Sequence, residues 1–291
     1  MPDDTFPVSY FPVPTQRQFA RNSERIRGKP YERYFSGDLQ LRRAVLPALR
    51  RPMERSEALD PKDVNALLDP GYHGVENGFC ELEDGSAYVA SHVPFPGATG
   101  EMYAWWFWWH SVEPARYTLW YPYNHVAAHP VNREVLTQPG LTHEQRYVGN
   151  THHVDEYIGS EFLRIAIRFL DPAELGFDTA RFAQAGIVGH ACARVSLRNA
   201  PLEMVTMVHL ARATADGIEQ RSRYWIGHQA KIRLFGASLA VDAIGTALGT
   251  KRRMAGVRVA YEQLLHDQIE FTHLASFLPE LWQEFGRGAR D

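Results

Sequence analysis

A histidine and a glutamate four residues apart are the sharpest candidates for chemistry in this sequence. His266 and Glu270 lie in an apolar stretch with helical periodicity, so both side chains share one helical face, one turn apart. From there they could bind one metal ion together. The same spacing is typical of a solvated ion pair, and Glu262 and His273 are rivals near the same stripe. The apolar surroundings favour the metal, because a buried carboxylate needs a positive partner.

A second candidate region is the segment 151–156, which contains two histidines and two acids. If the chain is extended there, His152 and Glu156 share one face, and His153 and Asp155 share the other. Such a cluster is also typical of a solvated turn at the start of a strand.

The third candidate region follows a proline-containing turn at residues 121–124. It offers His125 and His129. A lone histidine in such a place is usually structural. Spacing alone does not choose between the two, and it does not join the three regions into one site.

Strands that could position these residues recur from about residue 75. The dipeptides Asp84-Gly85 and Asp216-Gly217 predict hairpin turns between β-favouring runs. The strand candidates are residues 79–83, 87–93, 103–110, 116–121, 157–169, 187–197, 204–213 and 218–230. They predict an antiparallel, meander-like sheet of six or more strands.

One long helix is predicted near the C-terminus. Residues 251–277 contain no proline and a single glycine, Gly256, and their apolar residues cover more than one helical face. This pattern is typical of a buried helix. Pro279 is expected to end or kink it. A curved sheet closing over this helix predicts the α+β class, with a cavity between the two layers.

Residues 1–70 form an accessory segment in this interpretation. A short amphipathic helix is predicted over Asp38–Leu49, and Asp60 and Pro61 read as the N-cap and first residue of another, ending at Leu68. We expect the segment to be mostly helical and to serve as the contact of a homodimer.

Composition excludes several classes of partner. The net charge is −3 without blocks of like charge, which argues against nucleic acid and anionic membranes. No apolar run spans a bilayer, and the N-terminus does not read as a secretory signal, so a cytoplasmic protein is expected. Cys80 and Cys192 fit no metal-ligand spacing. The 12% aromatic content suits either a thick core or a pocket for a flat organic molecule.

Four separated motifs resemble the 2,4-diacetylphloroglucinol hydrolase and phloretin hydrolase family. They are residues 75–78, 105–110, 120–125 and 274–281, and the likeness runs from about residue 33 to 285. The resemblance implies a zinc-dependent hydrolase that cleaves an acyl group from a phenolic ring carbon. It also implies that residues 71–291 form a catalytic domain with a Bet v 1-like helix-grip fold.

The resemblance implies a set of metal ligands as well. The family's ligand spacing falls on His125, Glu156, His266 and Glu270, and it selects His125 over His129. Two ligands then come from the helix and two from the sheet side. Nitrogen and oxygen ligands suit Zn²⁺, and their type also admits Mn²⁺ or Fe²⁺.

Substrate-facing groups follow from the same resemblance. Tyr117 and Tyr224 are similar to the family's pocket tyrosines, and His209 is similar to a pocket histidine that could protonate the ring carbon. Each could instead be an ordinary core residue with a satisfied hydrogen bond. The aromatic run 103–109 is expected to form a cavity wall that stacks on the phenolic ring.

One position departs from the family pattern and leaves the acyl group open. A side-chain amide is expected three residues after the zinc histidine, where this sequence has Ala128; Asn124 or Asn132 could substitute. Rival interpretations are a zinc hydrolase of an ester or lactone, a non-catalytic carrier of small aromatic or apolar ligands, and an interaction protein. A carrier would have no reason to gather two histidines and two glutamates around a pocket.

Overall fold

A large antiparallel sheet and a long C-terminal helix dominate the computed structural model, which describes residues 4–198, 202–234, 237–240 and 255–286. The strands are β1 (Thr5–Pro7), β2 (Gln40–Arg42), β3 (Gly78–Glu81), β4 (Ala87–Pro96), β5 (His125–Pro130), β6 (Thr151–Ile158), β7 (Glu161–Phe169), β8 (Ile187–His190), β9 (Ala193–Leu197), β10 (Leu202–Thr214), β11 (Gly217–Leu234) and β12 (Ala237–Ala240). The α-helices are α1 (Val13–Ile26), α2 (Leu46–Arg50), α3 (Gly100–Val112), α4 (Tyr117–Trp120) and α5 (Val257–Phe285).

Short 3₁₀ helices connect these elements. They lie at Glu32–Tyr34, Arg43–Val45, Arg55–Glu57, Pro61–Leu68, Glu134–Thr137, Glu144–Arg146, Pro172–Leu175 and Thr179–Arg181. Asp60 caps the longest of them, because its side chain accepts a hydrogen bond from the Lys62 N–H. The predicted N-cap and the predicted end at Leu68 are therefore confirmed.

Within the described residues the main sheet has ten strands. Its order is β3-β4-β11-β10-β9-β7-β6-β5, with β8 also paired to β10 and β12 to β11. β1 and β2 form a separate pair. Helix α5 packs against β4 and β3. The predicted α+β class and the antiparallel sheet are confirmed.

Both predicted hairpin turns are present. β3 pairs with β4 across Asp84-Gly85, and β10 pairs with β11 across Asp216-Gly217. Gly217 is required there, because a Cβ atom at this position would lie 2.4 Å from the Phe95 carbonyl oxygen. The long β10–β11 hairpin carries residues of the candidate site on its inner face.

Two predicted strands are wrong. Residues 103–110 lie in α3, and residues 116–121 contain α4. The Thr99 hydroxyl caps α3 by accepting from the Met102 N–H at 3.2 Å. The run is apolar on every side because the helix is buried between other elements, and burial outweighs the β-propensity of its aromatic residues.

Other predicted boundaries also change. Residues 157–169 contain the end of β6, a turn and β7, and Gly159 permits that turn with a φ of +58°. Residues 187–197 divide into β8 and β9. Residues 38–49 form β2, a 3₁₀ helix and part of α2 rather than one amphipathic helix. In each case one predicted element is divided between two or more elements of the structure.

The C-terminal helix runs through Pro279 to Phe285. Pro279 therefore does not end the helix, and the alternative expectation, a kink at this residue, stays a prediction. Proline removes one backbone hydrogen bond of a helix. Leu278, Leu281 and Trp282 are buried on either side of it, and their packing holds the helix together. Residues 251–254 of the predicted helix lie outside the described residues.

The N-terminal segment shares the main hydrophobic core. Ile26, Tyr31, Tyr34 and Leu41 belong to one buried cluster with residues of α3 and α5. The division into residues 1–70 and 71–291 stays a prediction. No helix in the part of the chain that is described is long and apolar enough to cross a membrane.

Candidate metal centre and its cavity

The four predicted ligands come from three elements. His125 is the first residue of β5 and pairs directly with Glu156 on β6. His266 and Glu270 lie one turn apart on α5. All four side chains are buried, and His125 is completely inaccessible to solvent. The sheet and the helix therefore each contribute one histidine and one glutamate.

Their ligating atoms converge. The Nε2 atom of His125 lies 3.3 Å from the Nε2 atom of His266 and 3.3 Å from an Oε atom of Glu270. The His266 Nε2 atom lies 3.8 Å from that glutamate. One ligand atom from each of these residues fits within a sphere of metal-site size, all three within 4.8 Å of one another. Glu156 places Oε2 3.8 Å from His125 Nε2.

Burial disfavours charge on every member of this cluster. It raises the pKa of Glu156 to about 7 and holds the pKa of Glu270 well above its usual range. It lowers the pKa of His266 to about 3 and that of His125 well below its usual value. The imidazoles are therefore neutral, and no positively charged side chain of the described residues offsets the effect of burial on the two carboxyl groups.

Neighbouring groups orient two of the ligands. His125 Nδ1 lies 3.2 Å from the Tyr117 carbonyl oxygen, to which it donates, so its Nε2 is the unprotonated atom that faces the cluster. The Tyr117 ring stacks on the His125 ring with centroids 3.9 Å apart. The Tyr117 hydroxyl donates to Glu156 Oε2 at 2.5 Å.

The donor set fits a divalent cation. Two imidazole nitrogens and two carboxyl groups are ligand types that bind divalent cations such as Zn²⁺, and all four side chains are buried. A cation would also reverse the pKa shifts of the carboxyl groups.

A cavity of about 350 Å³ adjoins the cluster. Tyr117, Glu156, His266 and Glu270 contribute polar groups to its wall, and His209 and Tyr224 contribute others. Most of the remaining wall is apolar: Phe107, Trp120, Val154, Ile158, Leu163, Ile165, Ile167, Phe169, Val195, Leu197, Met204, Val205, Met207, Ile226 and Val259. The cavity has a size typical of small organic ligands.

His209 and Tyr224 form a second polar cluster with residues that the sequence interpretation overlooked. The Tyr224 hydroxyl donates to Asp267 Oδ2 at 2.7 Å and lies 3.4 Å from His209 Nε2. Ser91 also donates to Asp267. Burial holds the pKa of Tyr224 well above its usual value and lowers the pKa of His209 to about 3. Asp267 lies next to His266 in the same apolar helix, and an acidic residue in that position indicates a buried polar cluster.

The expected aromatic wall is largely wrong. Of the run 103–109, Phe107 lines the cavity. Tyr103, Trp105, Trp106 and Trp109 pack into the core around α3. Four further cavity residues of the Phe, Tyr or Trp type come from other segments: Tyr117, Trp120, Phe169 and Tyr224. The helical conformation of α3 causes this, because it turns successive rings in all directions.

Asn124 and Asn132, the two side-chain amides proposed to substitute at Ala128, make hydrogen bonds with the backbone. Asn124 donates to the Tyr157 carbonyl oxygen at 2.8 Å, and Asn132 accepts from the backbone N–H of Glu134 at 3.2 Å. Ala128 itself is buried in β5. Neither amide belongs to the cavity wall formed by the described residues.

Comparison with known proteins identifies the family. A family model described as the DAPG hydrolase PhiG domain matches residues 59–283. The chain belongs to this family. Among curated members, a 2,4-diacetylphloroglucinol hydrolase of Pseudomonas protegens is 40% identical over 97% of this chain and 93% of its own length.

Two further curated relatives are similar to this chain along most of their length. A 2,4-diacetylphloroglucinol hydrolase of Pseudomonas sp. is 39% identical, with 97% of each chain covered. A phloretin hydrolase of Eubacterium ramulus is 31% identical over 87% of this chain and 89% of its own. The resemblance stated from the sequence motifs is therefore confirmed.

A search of solved structures adds little. The crystal structure of Ara h 8.0201 matches with a TM-score of 0.30 and 9% identity, covering 62% of this chain and 97% of that one. This likeness is too low to support an argument about the fold, so the helix-grip arrangement stays a prediction.

Proposed function

We propose that this chain is a zinc-dependent hydrolase that cleaves the carbon–carbon bond between an acyl group and a phloroglucinol-type ring. Membership of the DAPG hydrolase family supports the reaction class. The observation that carries the proposal is the convergence of His125, His266 and Glu270, with Glu156 beside them, at the wall of a largely apolar cavity.

The reaction needs a stabilised carbon leaving group. Hydroxyl groups ortho and para to the acyl group let the ring adopt a keto tautomer, so the departing ring carbon leaves as part of an enolate or phenolate. Water adds its oxygen to the acyl carbon, the bond between the acyl and ring carbons breaks, and one hydrogen of the water ends on the ring carbon. The products are a carboxylic acid and the deacylated phenol.

The four ligand candidates hold the metal in this proposal. A bound Zn²⁺ supplies a Lewis acid for the acyl carbonyl and activates a water molecule. The Tyr117 hydroxyl keeps Glu156 oriented through its hydrogen bond. The apolar wall excludes bulk water and receives the ring and the acyl chain.

The second polar cluster faces the phenolic ring in this proposal. Tyr224 and His209 offer hydrogen-bonding groups to the ring oxygens, and His209 is the candidate for presenting a proton to the ring side. The substitution His209→Ala is expected to lower kcat by about 10²-fold with the metal retained. Unchanged activity would remove His209 from this role.

The deciding experiment measures cleavage and metal dependence together. Purified protein is incubated with 2,4-diacetylphloroglucinol and with phloretin, before and after chelation, and substrate loss and products are followed by chromatography. We expect cleavage that disappears with the metal and returns with Zn²⁺. Stoichiometric zinc without cleavage of either compound would favour an ester or lactone substrate. Absence of both zinc and cleavage would favour a carrier.

Three finer proposals accompany this function. The helix-grip arrangement is supported by the long helix packed against the antiparallel sheet. A homodimer through residues 1–70 is testable by light scattering after size exclusion, and a clean monomer would reject it. A cytoplasmic location would be tested by fractionating cells that express the protein.

A further inference from the structure

A continuous chain of buried hydrogen bonds leads from α3 to His209. The Tyr103 hydroxyl donates to Gln220 Oε1 at 2.7 Å, and Gln220 Nε2 donates to Ser222 Oγ at 2.9 Å. His209 Nδ1 lies 2.8 Å from Ser222 Oγ and 3.4 Å from Gln220 Nε2. These four residues are at most 2% exposed. Of these four residues, only His209 has a role in the proposed reaction.

The direction of these hydrogen bonds fixes where the imidazole carries its hydrogen. Because Tyr103 donates to the amide oxygen, the amide nitrogen of Gln220 points towards Ser222 and His209. An amide nitrogen offers only hydrogens. Ser222 accepts one of them, and its own hydroxyl, which also hydrogen-bonds Asp267, can either donate or accept at His209 Nδ1. The Gln220 amide nitrogen, 3.4 Å from Nδ1, can only donate, so it favours a lone pair on Nδ1.

The far side of the imidazole has the complementary arrangement. The Tyr224 hydroxyl commits its hydrogen to Asp267 Oδ2 at 2.7 Å. Its oxygen, 3.4 Å from His209 Nε2, is left as an acceptor. A hydrogen on Nε2 meets this acceptor, whereas a lone pair there would face another lone pair. Both sides of the ring favour the same tautomer. Burial lowers the pKa of His209 to about 3, so the ring is neutral and its tautomer matters.

We propose that Gln220, held by Tyr103, is a positioning residue that fixes His209 in the Nε2–H tautomer, so that His209 meets the phenolic substrate as a hydrogen donor. The second half of this statement rests on the proposed function. The first half concerns the protein alone. In the wrong tautomer, Nε2 would present a lone pair to the ring oxygens and could not donate to them.

The test reads the tautomer directly by nuclear magnetic resonance. The full, zinc-loaded chain is labelled with ¹⁵N-histidine, and long-range ¹H–¹⁵N correlations report which ring nitrogen is protonated. The His209 signals are identified by their loss in His209→Gln. We expect Nε2 protonated and Nδ1 unprotonated in the wild-type protein. Protonation at Nδ1 instead would overturn the proposal.

The substitution Gln220→Glu keeps the shape of the side chain and replaces the donor with an acceptor. We expect it to add a hydrogen at His209 Nδ1 and to lower kcat by about 10²-fold, with KM changed by less than about threefold. Gln145→Glu, at an exposed position, adds the same charge and is expected to change neither the His209 tautomer nor kcat. An unprotonated Nδ1 in a folded Gln220→Glu protein would contradict the proposal.

Two more variants keep the test decisive if the buried glutamate prevents folding. Gln220→Met removes the amide at similar volume, and Tyr103→Phe releases the amide from its anchor. Each is expected to give a mixture of both His209 tautomers, and a pure Nε2–H form in both would contradict the proposal. A correct tautomer in a protein that cleaves no acylphenol would reject the proposed function and leave the positioning role of Gln220 supported.

Discussion

The Nε2 atoms of His125 and His266 lie 3.3 Å apart, although the residues are 141 positions apart in the chain. Two neutral imidazole lone pairs at this separation repel each other unless a hydrogen or a cation lies between them. The donation of His125 Nδ1 to the Tyr117 carbonyl oxygen holds the Nε2 atom of His125 in this direction. A cation bound between the two rings, as proposed, would remove this repulsion.

Removal of one imidazole should abolish metal binding. We expect His125→Ala to lose both zinc and turnover, and Glu156→Ala and His266→Ala to do the same, because three ligands hold the ion poorly in a site built for four. Metal content is measured by mass spectrometry and turnover by product formation. His129→Ala is the matched control, since His129 lies exposed on the same strand. Full zinc and activity in the ligand variants would reject the assignment.

The hydrogen bond from Tyr117 to Glu156 should tune metal affinity. Tyr117→Phe keeps the ring that stacks on His125 and removes the hydroxyl that donates to the carboxylate. Loss of such a supporting group typically weakens metal binding by about 10- to 100-fold. Chelator competition measures this change. An unchanged zinc affinity would mean that the hydroxyl does not orient the ligand.

A buried ion-pair cluster outside the site predicts how stability depends on pH. Glu76 accepts from Arg221 at 2.6 Å and from Arg223 at 2.7 Å. Burial alone would raise the pKa of Glu76, but the two guanidinium groups outweigh it and lower the pKa to about 2. The carboxylate therefore stabilises the fold above its ordinary pKa of 4.5, and this contribution is lost as the pH falls towards about 2.

The substitution Glu76→Gln should lower the free energy of unfolding at pH 7 by about 3 kcal/mol, since each pKa unit corresponds to about 1.4 kcal/mol. The difference from wild type should shrink at pH 3. Urea unfolding of metal-stripped proteins at both pH values measures it, with the exposed Glu83→Gln as control. An equal loss at both pH values would show that packing, rather than charge, is responsible.

The apolar cavity wall should set the size of the acyl group. Val205 lies on β10 among apolar wall residues of β7 and β9. Val205→Phe reduces the space without touching a ligand. We expect kcat/KM for phloretin to fall at least tenfold more than kcat/KM for 2,4-diacetylphloroglucinol. An equal loss for both compounds would show that the longer acyl chain does not use this part of the cavity.

The helical half of the candidate centre is easier to predict from the sequence than the sheet half. Helical periodicity, a local property, places His266 and Glu270 on one helical face, with Glu262 and His273 as rivals. The pairing of His125 with Glu156 depends on the register of two strands that are separated by 20 residues of loop, 131–150, and register is set by packing across the sheet. Without the family resemblance, His129 remained an equal choice.

The chain of hydrogen bonds from Tyr103 to His209 could have been predicted in part from the sequence. Gln220, Ser222 and Tyr224 alternate along β11, so they share one face of the strand. Three polar residues on the inner face of a predicted strand indicate a buried network or a site. What the sequence could not show is that Tyr103, assigned to a strand, lies in a helix that delivers its hydroxyl to Gln220.

Side chains of the N-terminal helix α1 contact the backbone around His125, a residue of the candidate metal centre. The Asn22 side chain donates to the carbonyl oxygens of Pro122 and His125, at 2.8 and 2.7 Å, and Arg25 donates to that of Val126. These residues precede the region that matches the family model, which starts at residue 59. The stretch that the family model matches is therefore contacted by residues outside it. A shortened chain without α1 would keep all four candidate ligands and would lose the hydrogen bonds that hold the backbone at His125.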